Sequence, residues 1–296
     1  MRIAFLILAH ADPVHLGRLS RTLQPAGDVY IHLDRKADLA VFREAVPSPA
    51  VFVGERHAVA WAGISMVDAI IALMREALEA GKPYTHLVLL TGSDYPIKPL
   101  SSLAALFADD PGKEHIRYID MRESPEHYMK LITRRHFREP LFGDGRQLVD
   151  KVLRKAMTLA RLPNAWPGSL VPYFGHTWCA LTAGCAAHVV DYHDNHPTFR
   201  AANRHTFAPD EHYFHTIVGN SPYAARATGL QPFEGRGLWR LANLHLIDPS
   251  LAKWYTLDDW DQIIRSDRFF VRKVRTESSQ ALLDRLDADV LTGHSA

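Results

Sequence analysis

The sequence predicts an α/β protein built on an open, mostly parallel sheet flanked by helices, and three observations carry that prediction. Apolar runs at Ile3–Ala9 and His86–Leu90 lack the polar alternation of a half-exposed strand, as strands buried on both faces should. Helix signals separate these runs, so strand and helix alternate over the first 120 residues. Polar residues gather where the strands stop, at His10, Asp34 and Thr91–Asp94. Sheets of this kind bind their ligands beyond the carboxyl ends of the strands.

Each element follows from a local pattern. After the first strand, Ile3–Ala9, Asp12-Pro13 supplies an N-cap and a first-turn proline for a helix to Leu23. Val29–Leu33 is a second strand ending at Asp34, Val51–Val53 a short third, and Ile64–Ala80 an amphipathic helix closed by Gly81. His86–Leu90 is the next strand, Ser101–Ala108 a helix and Ile116–Ile119 a further strand. From 121 to 172 the periodicity stops, and a basic, proline-containing insertion is expected to lie over the sheet. Within it Gln147–Leu162 has helical spacing, with Lys151, Arg154, Lys155 and Arg161 on a polar side. Such a side suits plain solvent, and weak peripheral contact with an anionic membrane is its other use. Regularity returns with Thr177–Leu181 as a strand, Gly184–Asn195 as a helix and Pro209–Val218 as a loop entering a helix. Leu257–Ile264 and Ser278–Leu286 read as closing helices. No repeat, low-complexity tract or linker interrupts the chain, so 1–296 is expected to form a single domain with an insertion.

Composition removes several function classes. With 47% apolar residues over 296 positions a core is assured, and 34 Lys plus Arg against 33 Asp plus Glu leave no global field for nucleic acid. Any anion site must be local. Two cysteines, Cys179 and Cys185, argue against a disulfide framework and for a reducing compartment. Met1–Ala9 is too short for a secretory leader and runs into a helix start, so it reads as a strand. No segment approaches the roughly eighteen apolar residues of a membrane span. A cytoplasmic protein, at most peripheral at the inner membrane face, is the expectation.

The strand-end rim holds the first chemical candidates. His10, Asp34 and the Thr91-Gly92-Ser93-Asp94-Tyr95-Pro96 turn each have ordinary uses, as caps or turn residues, and their joint placement is what marks them. Neither a Walker loop nor a strand followed by GxGxxG is present, which removes P-loop and dinucleotide enzymes, and no GxSxG elbow marks a serine hydrolase. Seventeen histidines are many, but HExxH and a Cys/His quartet are absent, so His212 and His215 read as core or surface residues. Asp259-Trp260-Asp261 and Asp287-Ala288-Asp289 have the look of metal-binding acidic pairs, yet both fall on helical ground. After Ile116–Ile119 the chain offers Asp120-Met121-Arg122, with a cation where a second carboxylate would stand.

Six segments then coincide in order with one family: Ile31-His32-Leu33-Asp34-Arg35-Lys36-Ala37, Trp61-Ala62-Gly63-Ile64-Ser65, Thr91-Gly92-Ser93-Asp94-Tyr95-Pro96-Ile97-Lys98, Gly175-His176-Thr177-Trp178, Pro209-Asp210-Glu211 and Phe270-Val271-Arg272-Lys273. The sequence resembles the core 2 and I-branching β-1,6-N-acetylglucosaminyltransferases, glycosyltransferase family 14, and their peptide xylosyltransferase relatives. That resemblance implies a GT-A-like, Rossmann-type fold, an inverting reaction, a UDP-sugar donor, a glycan hydroxyl as acceptor, and no metal or other cofactor. N-acetylglucosamine in β-1,6 branching is the sugar it suggests. The base falls on Glu211, with Asp210 capping the helix that begins there. Lys273, Arg272 and, less closely matched, Lys253 should hold the diphosphate in place of an ion. Asp34 should face uridine or ribose, His10 and Asp94 complete the nucleotide-sugar rim, and Thr177 and Trp178 line the donor sugar. Lys130 and Arg134, with Arg135, could meet a charged acceptor.

The sequence departs from the family at several points. Ala62 stands where relatives often carry glycine, Thr91 replaces a serine and Val274 a phenylalanine. Leu244–Asp248 lacks the aromatic residues of the branching enzymes' acceptor platform. The missing anchor and paired cysteines suit a bacterial cytoplasmic enzyme better than a Golgi one. Xylose transfer to a peptide, a metal-dependent reaction through Asp259 and Asp261, and a catalytically silent glycan-binding protein stay open as alternatives.

Overall fold

A computed structural model describes residues 2–142 and 147–291. In chain order the first half gives β1 (Ile3–Ala9), α1 (Pro13–Leu23), β2 (Gly27–Leu33), α2 (Leu39–Ala45), β3 (Val51–Phe52), α3 (Ile64–Glu79), β4 (His86–Thr91), β5 (Asp94–Pro96), α4 (Leu100–Asp109) and β6 (Glu114–Asp120). The second half gives α5 (Lys130–Thr133), α6 (Gln147–Leu159), β7 (Tyr173–Phe174), β8 (Ala180–Thr182), α7 (Ala183–Asn195), α8 (Pro197–Asn203), α9 (Tyr213–Gly219), β9 (Ala227–Leu230), β10 (His245–Ile247), α10 (Trp260–Ile264), β11 (Phe270–Arg272) and α11 (Thr276–Leu286).

The main sheet runs β3-β2-β1-β4-β8-β6-β7, with β9 beside β6. β1 is parallel to both β2 and β4, whereas β8 is antiparallel to β4 and β6. Because β2 lies on one side of β1 and β4 on the other, the connections diverge there and open a crevice at the strand ends. All seven residues of β1 are buried. Ile3, Phe5 and Ile7 face a core completed by α1, α4 and α11, and Ala4, Leu6 and Leu8 face one completed by α3, α7 and α9. Each large side chain so buried contributes about 1.5–3 kcal/mol, which explains the unbroken apolar run.

A second sheet, β10-β11-β5, closes over the end of β4. β11 is antiparallel to β5 with Arg272 opposite Asp94, and parallel to β10 with Ile247 opposite Arg272. It carries the chain's tail back to the 91–94 turn, where the Val274 amide donates to Ser93 O at 2.9 Å.

The insertion is anchored rather than draped. Gly63 precedes α3 without a capping side chain, and Glu139 from the insertion takes that role, accepting from the Ser65 amide at 2.9 Å. A Cβ on Gly63 would fall 2.2 Å from the same Glu139 oxygen, so only glycine leaves room for this cap. Arg138 donates to Trp61 O at 3.1 Å, and a third core of Ile119, Met121, Tyr128, Ile132, Phe174 and Leu241 fills in beneath.

Three expectations need correction. The strand read over Thr177–Leu181 begins only at Ala180 and is antiparallel, so Thr177 and Trp178 sit in the loop before it. The helix read over Gln147–Leu162 stops at Leu159, and Arg161 beyond it takes the left-handed conformation at φ 51°. Arg154 is not on its solvent side but turns inward to Asp150 at 2.6 Å. Among the described residues no helix is long and apolar enough to cross a membrane. Glu139→Ala should cost about 1 kcal/mol, the usual worth of a helix N-cap, measured as a lower urea midpoint with an unchanged m-value.

Candidate active site

The site is built at the crevice between β1 and β4. Asp94, fully buried at the start of β5, accepts from the Thr91 amide at 2.6 Å and its hydroxyl at 2.9 Å. His245 Nε2 on β10 reaches its other side at 3.3 Å, and Arg272 Nη1 on β11 donates to it at 3.0 Å. Burial alone would raise the Asp94 pKa, but the Arg272 charge, His245 and the Thr91 amide outweigh it and hold the carboxyl well below the usual range. Arg272 also touches the Thr91 hydroxyl and lies 4.7 Å from the centre of the Trp178 ring. Lys273 follows, near Trp254 at 5.9 Å and with no carboxylate partner among the described residues. Burial and the Arg272 charge pull its pKa down, partly offset by Asp94.

Across the 175–178 loop stands the acidic side. The Gly175 amide donates to Glu211 O at 2.8 Å, and Thr177 Oγ1 donates to Asp210 Oδ2 at 2.8 Å. Asp210 is therefore held, whereas the Glu211 side chain makes no hydrogen bond among the described residues. Burial and then the charge of Asp210 raise the Glu211 pKa well above the ordinary glutamate value. Burial raises Asp210 also, partly offset by the Thr177 hydroxyl. One short loop thus links the Arg272 guanidinium at Trp178 to Glu211, a carboxyl with no side-chain hydrogen bond among the described residues and a pKa raised by burial and by Asp210. The Trp61-Ala62-Gly63 segment is tied to the stretch that leads into Glu211, since the Ala208 amide donates to Ala62 O at 3.1 Å. Ala62 sits at φ 59°, the left-handed region that favours glycine, which accounts for the glycine that the family resemblance leads one to expect there.

A sequence model of the Core-2/I-branching enzyme family matches residues 3–228. The chain belongs to that family. Among curated proteins it is 22% identical over 308 residues to "Xylosyltransferase oxt" of Drosophila melanogaster, covering 97% of this chain and 33% of the relative. It is 23% identical over 222 residues to the human "N-acetyllactosaminide beta-1,6-N-acetylglucosaminyl-transferase", covering 73% of this chain and 52% of the relative. The chain thus spans about a third to a half of the length of these relatives. Among solved structures, mouse xyloside xylosyltransferase 1 in its apo form aligns at a TM-score of 0.36 and 12% identity, over 92% of this chain and 97% of that one.

In this Core-2/I-branching chain the expected rim residues meet different fates. His10 is exposed at the end of β1, and Asp34 N donates to Ala9 O at 2.8 Å, so the two lie side by side. Asp34 accepts from the Lys36 amide at 2.9 Å and its ammonium at 3.2 Å, while Arg56 pins the loop through Leu33 O, Asp34 O and Ala37 O. Asp94 uses its oxygens inside the protein, so it positions Arg272 instead of lining the rim. Thr177 is spent on Asp210, and Trp178 is buried under Arg272. Lys253 pairs with Asp259 at 2.5 Å and is not brought to Arg272 by any contact among the described residues. Lys130 is exposed on α5, whose Leu131 O accepts from the Phe207 amide at 2.9 Å; Arg134 bridges to Pro163, and Arg135 borders a separate cavity with Trp166 and His205.

The acidic pairs are otherwise engaged. Asp259 caps its own helix and holds Lys253, Asp287 takes Arg18 and the Tyr95 hydroxyl, and Asp120 is clasped by Arg122 at 2.6 Å. His212 and His215 are wholly buried, with pKa values lowered to about 3 by burial and by one another's proximity at His212. They are neutral core residues.

Two groups escaped the sequence reading. His245 completes the Asp94 cluster, and Tyr128, whose pKa is raised first by burial, lines a cavity of about 90 Å³ with Gln231, Glu234 and Arg240. Gly235 and Gly237, at φ 97° and 144°, were the available signal for that cavity's wall. Replacing Asp94 with Asn should cost about 3 kcal/mol, because Arg272 would keep a half-buried charge without its partner. A carboxyl held below its unfolded value contributes stability that is lost as pH falls, so the variant's stability should decline less than the wild type's below about pH 4. Urea titrations at neutral and acidic pH measure both.

Proposed function

We propose that the chain is an inverting glycosyltransferase that moves a sugar from a UDP-sugar to a glycan hydroxyl on a GT-A-like fold, with Glu211 as base and without a metal. N-acetylglucosamine in β-1,6 linkage is the favoured transfer. The observation that carries the reading is Glu211, a carboxyl with a raised pKa and no side-chain hydrogen bond among the described residues, placed across the 175–178 loop from Arg272.

Inversion requires one group to remove the acceptor proton as the anomeric carbon is attacked from the opposite side. A carboxylate with a raised pKa is a stronger base, and one without hydrogen-bond partners is open to an incoming hydroxyl. The leaving diphosphate is already activated and needs only charge neutralisation, so a second acid is unnecessary. Lys273, lacking an internal carboxylate, is the cation available for that work, and Arg272 adds a charge fixed in direction by Asp94. His10 and Asp34, adjacent at the ends of β1 and β2, would take the nucleoside. The cavity at Tyr128 and Arg240, beside the base, would take the acceptor.

Xylose transfer is the second reading. It is favoured by the match to "Xylosyltransferase oxt", which extends over 97% of this chain against 73% for the human N-acetylglucosaminyltransferase relative. A thermal-shift panel of UDP-N-acetylglucosamine, UDP-xylose, UDP-glucose and UDP-galactose, with and without EDTA, separates these donors and tests the metal, since a bound ligand raises the melting point. Loss of stabilisation in EDTA would sink the metal-free part.

Glu211→Gln should bind UDP as well as the wild type and lose at least about a hundredfold in turnover, the scale of general-base catalysis. In the wild type kcat/KM should rise with pH through a range above that of ordinary glutamates. Retained turnover in the Gln variant excludes this base. Stability carries the opposite sign. A carboxyl with a raised folded pKa makes stability fall as pH rises from the unfolded glutamate value through the folded one, so Glu211→Gln should be the more stable protein at neutral pH. Calorimetric melting across that window checks it.

A further inference from the structure

Helix α6 is packed inside out. An amphipathic helix on a globular protein turns its apolar stripe to the core. Here the side facing the protein is polar. Asp150 accepts from the Leu141 amide and from Arg154 Nε, both at 2.6 Å; Arg154 Nη1 donates to Arg138 O at 3.1 Å, and Thr158 Oγ1 accepts from the Phe137 amide at 3.3 Å. The opposite side is apolar and uncovered. Leu148 is 75% exposed, Val152 59% and Leu159 69%, and Val149 and Leu153 extend the same face. At 3.6 residues per turn these five occupy an arc of roughly 140°.

Charge decides what this face fits. Lys151 and Lys155 run along one edge of the apolar arc and are exposed, and Arg161 follows the helix end, also exposed. The single acid between 145 and 190 is Asp150, and it is turned inward against Arg154. We propose that α6 is an interfacial helix that docks this protein on an anionic lipid bilayer, with its apolar arc at the acyl boundary and Lys151, Lys155 and Arg161 among the headgroups. A second copy packed on the same face would bring Lys151 and Lys155 near their counterparts, while Asp150 is turned inward and unavailable to receive them. An anionic membrane supplies both the apolar phase and the missing negative charge.

The proposal is tested by flotation of the full chain with phosphatidylglycerol-containing vesicles and with pure phosphatidylcholine vesicles, at low and high salt. The expected result is at least about tenfold stronger binding to the anionic vesicles, weakened by salt. Leu148→Gln, Val152→Gln and Leu159→Gln together should abolish binding while leaving the melting temperature unchanged, because these side chains touch little of the protein. Lys151→Gln with Lys155→Gln should remove the preference for anionic lipid. Absence of wild-type flotation, or undiminished flotation of the triple variant, overturns the proposal. So does a dimer in light scattering that the triple variant converts to monomer while neither protein binds vesicles.

Discussion

The candidate site at the strand ends depends on one buried charge pair, Asp94 with Arg272. A carboxylate without solvent is tolerable only when cations and donors surround it. Asp94 draws these from three places in the chain: the end of β4 through Thr91, β10 through His245, and β11 through Arg272. Satisfying that carboxylate is therefore the same event as folding the tail back onto the central sheet. The guanidinium that results is aimed, with Nη1 on Asp94 and its centre 4.7 Å from the middle of the Trp178 ring, and Lys273 is carried beside it with no carboxylate partner among the described residues.

The two ends of the site follow opposite rules. At Arg272 charge is permanent, and burial is offset by pairing. At Glu211 the side chain has no hydrogen-bond partner among the described residues, and burial with the neighbouring Asp210 charge raises its pKa. Such a group binds a proton readily and, once ionised, takes one readily, which is the property a base needs. The loop between them keeps these regimes apart. Thr177 satisfies Asp210 and leaves Glu211 open, so the two adjacent carboxyls of one motif acquire different roles from a single hydroxyl.

How much of this was legible in sequence depended on element length. β1, β4, α1 and α3 are long enough for burial to write a pattern, and their bounds were read to within a residue or two. β5, β10 and β11 have three residues each, too few for alternation, yet they bring Asp94, His245 and Arg272 together. Asp94 and Arg272 were therefore picked out singly, as a rim residue and a phosphate ligand, and their pairing was invisible. Thr177 and Trp178 were assigned to a strand because the apolar run continues through them, although that run partly serves the cation above. In α6 periodicity gave the two faces correctly but could not say which one meets protein. The default assignment was wrong for Arg154, since a polar face can pack when its own ion pair and the backbone of a neighbouring loop satisfy it.

That inversion ties the insertion to the rest of the site. Arg154 on α6 holds Arg138 O, Arg138 stacks on Trp61 at 4.7 Å and bonds its carbonyl, and Ala62 next to it receives the amide of Ala208, which leads into Glu211. Glu139 fastens the same stretch to the start of α3. Each link is a direct hydrogen bond or ring contact, so moving α6 relative to the 208–211 loop would break several of them. A surface that captured α6 would therefore fix the direction in which the Glu211 side of the crevice opens. The insertion would then act as a bracket that sets the site's angle to that surface, leaving the charges at Asp94 and Arg272 untouched.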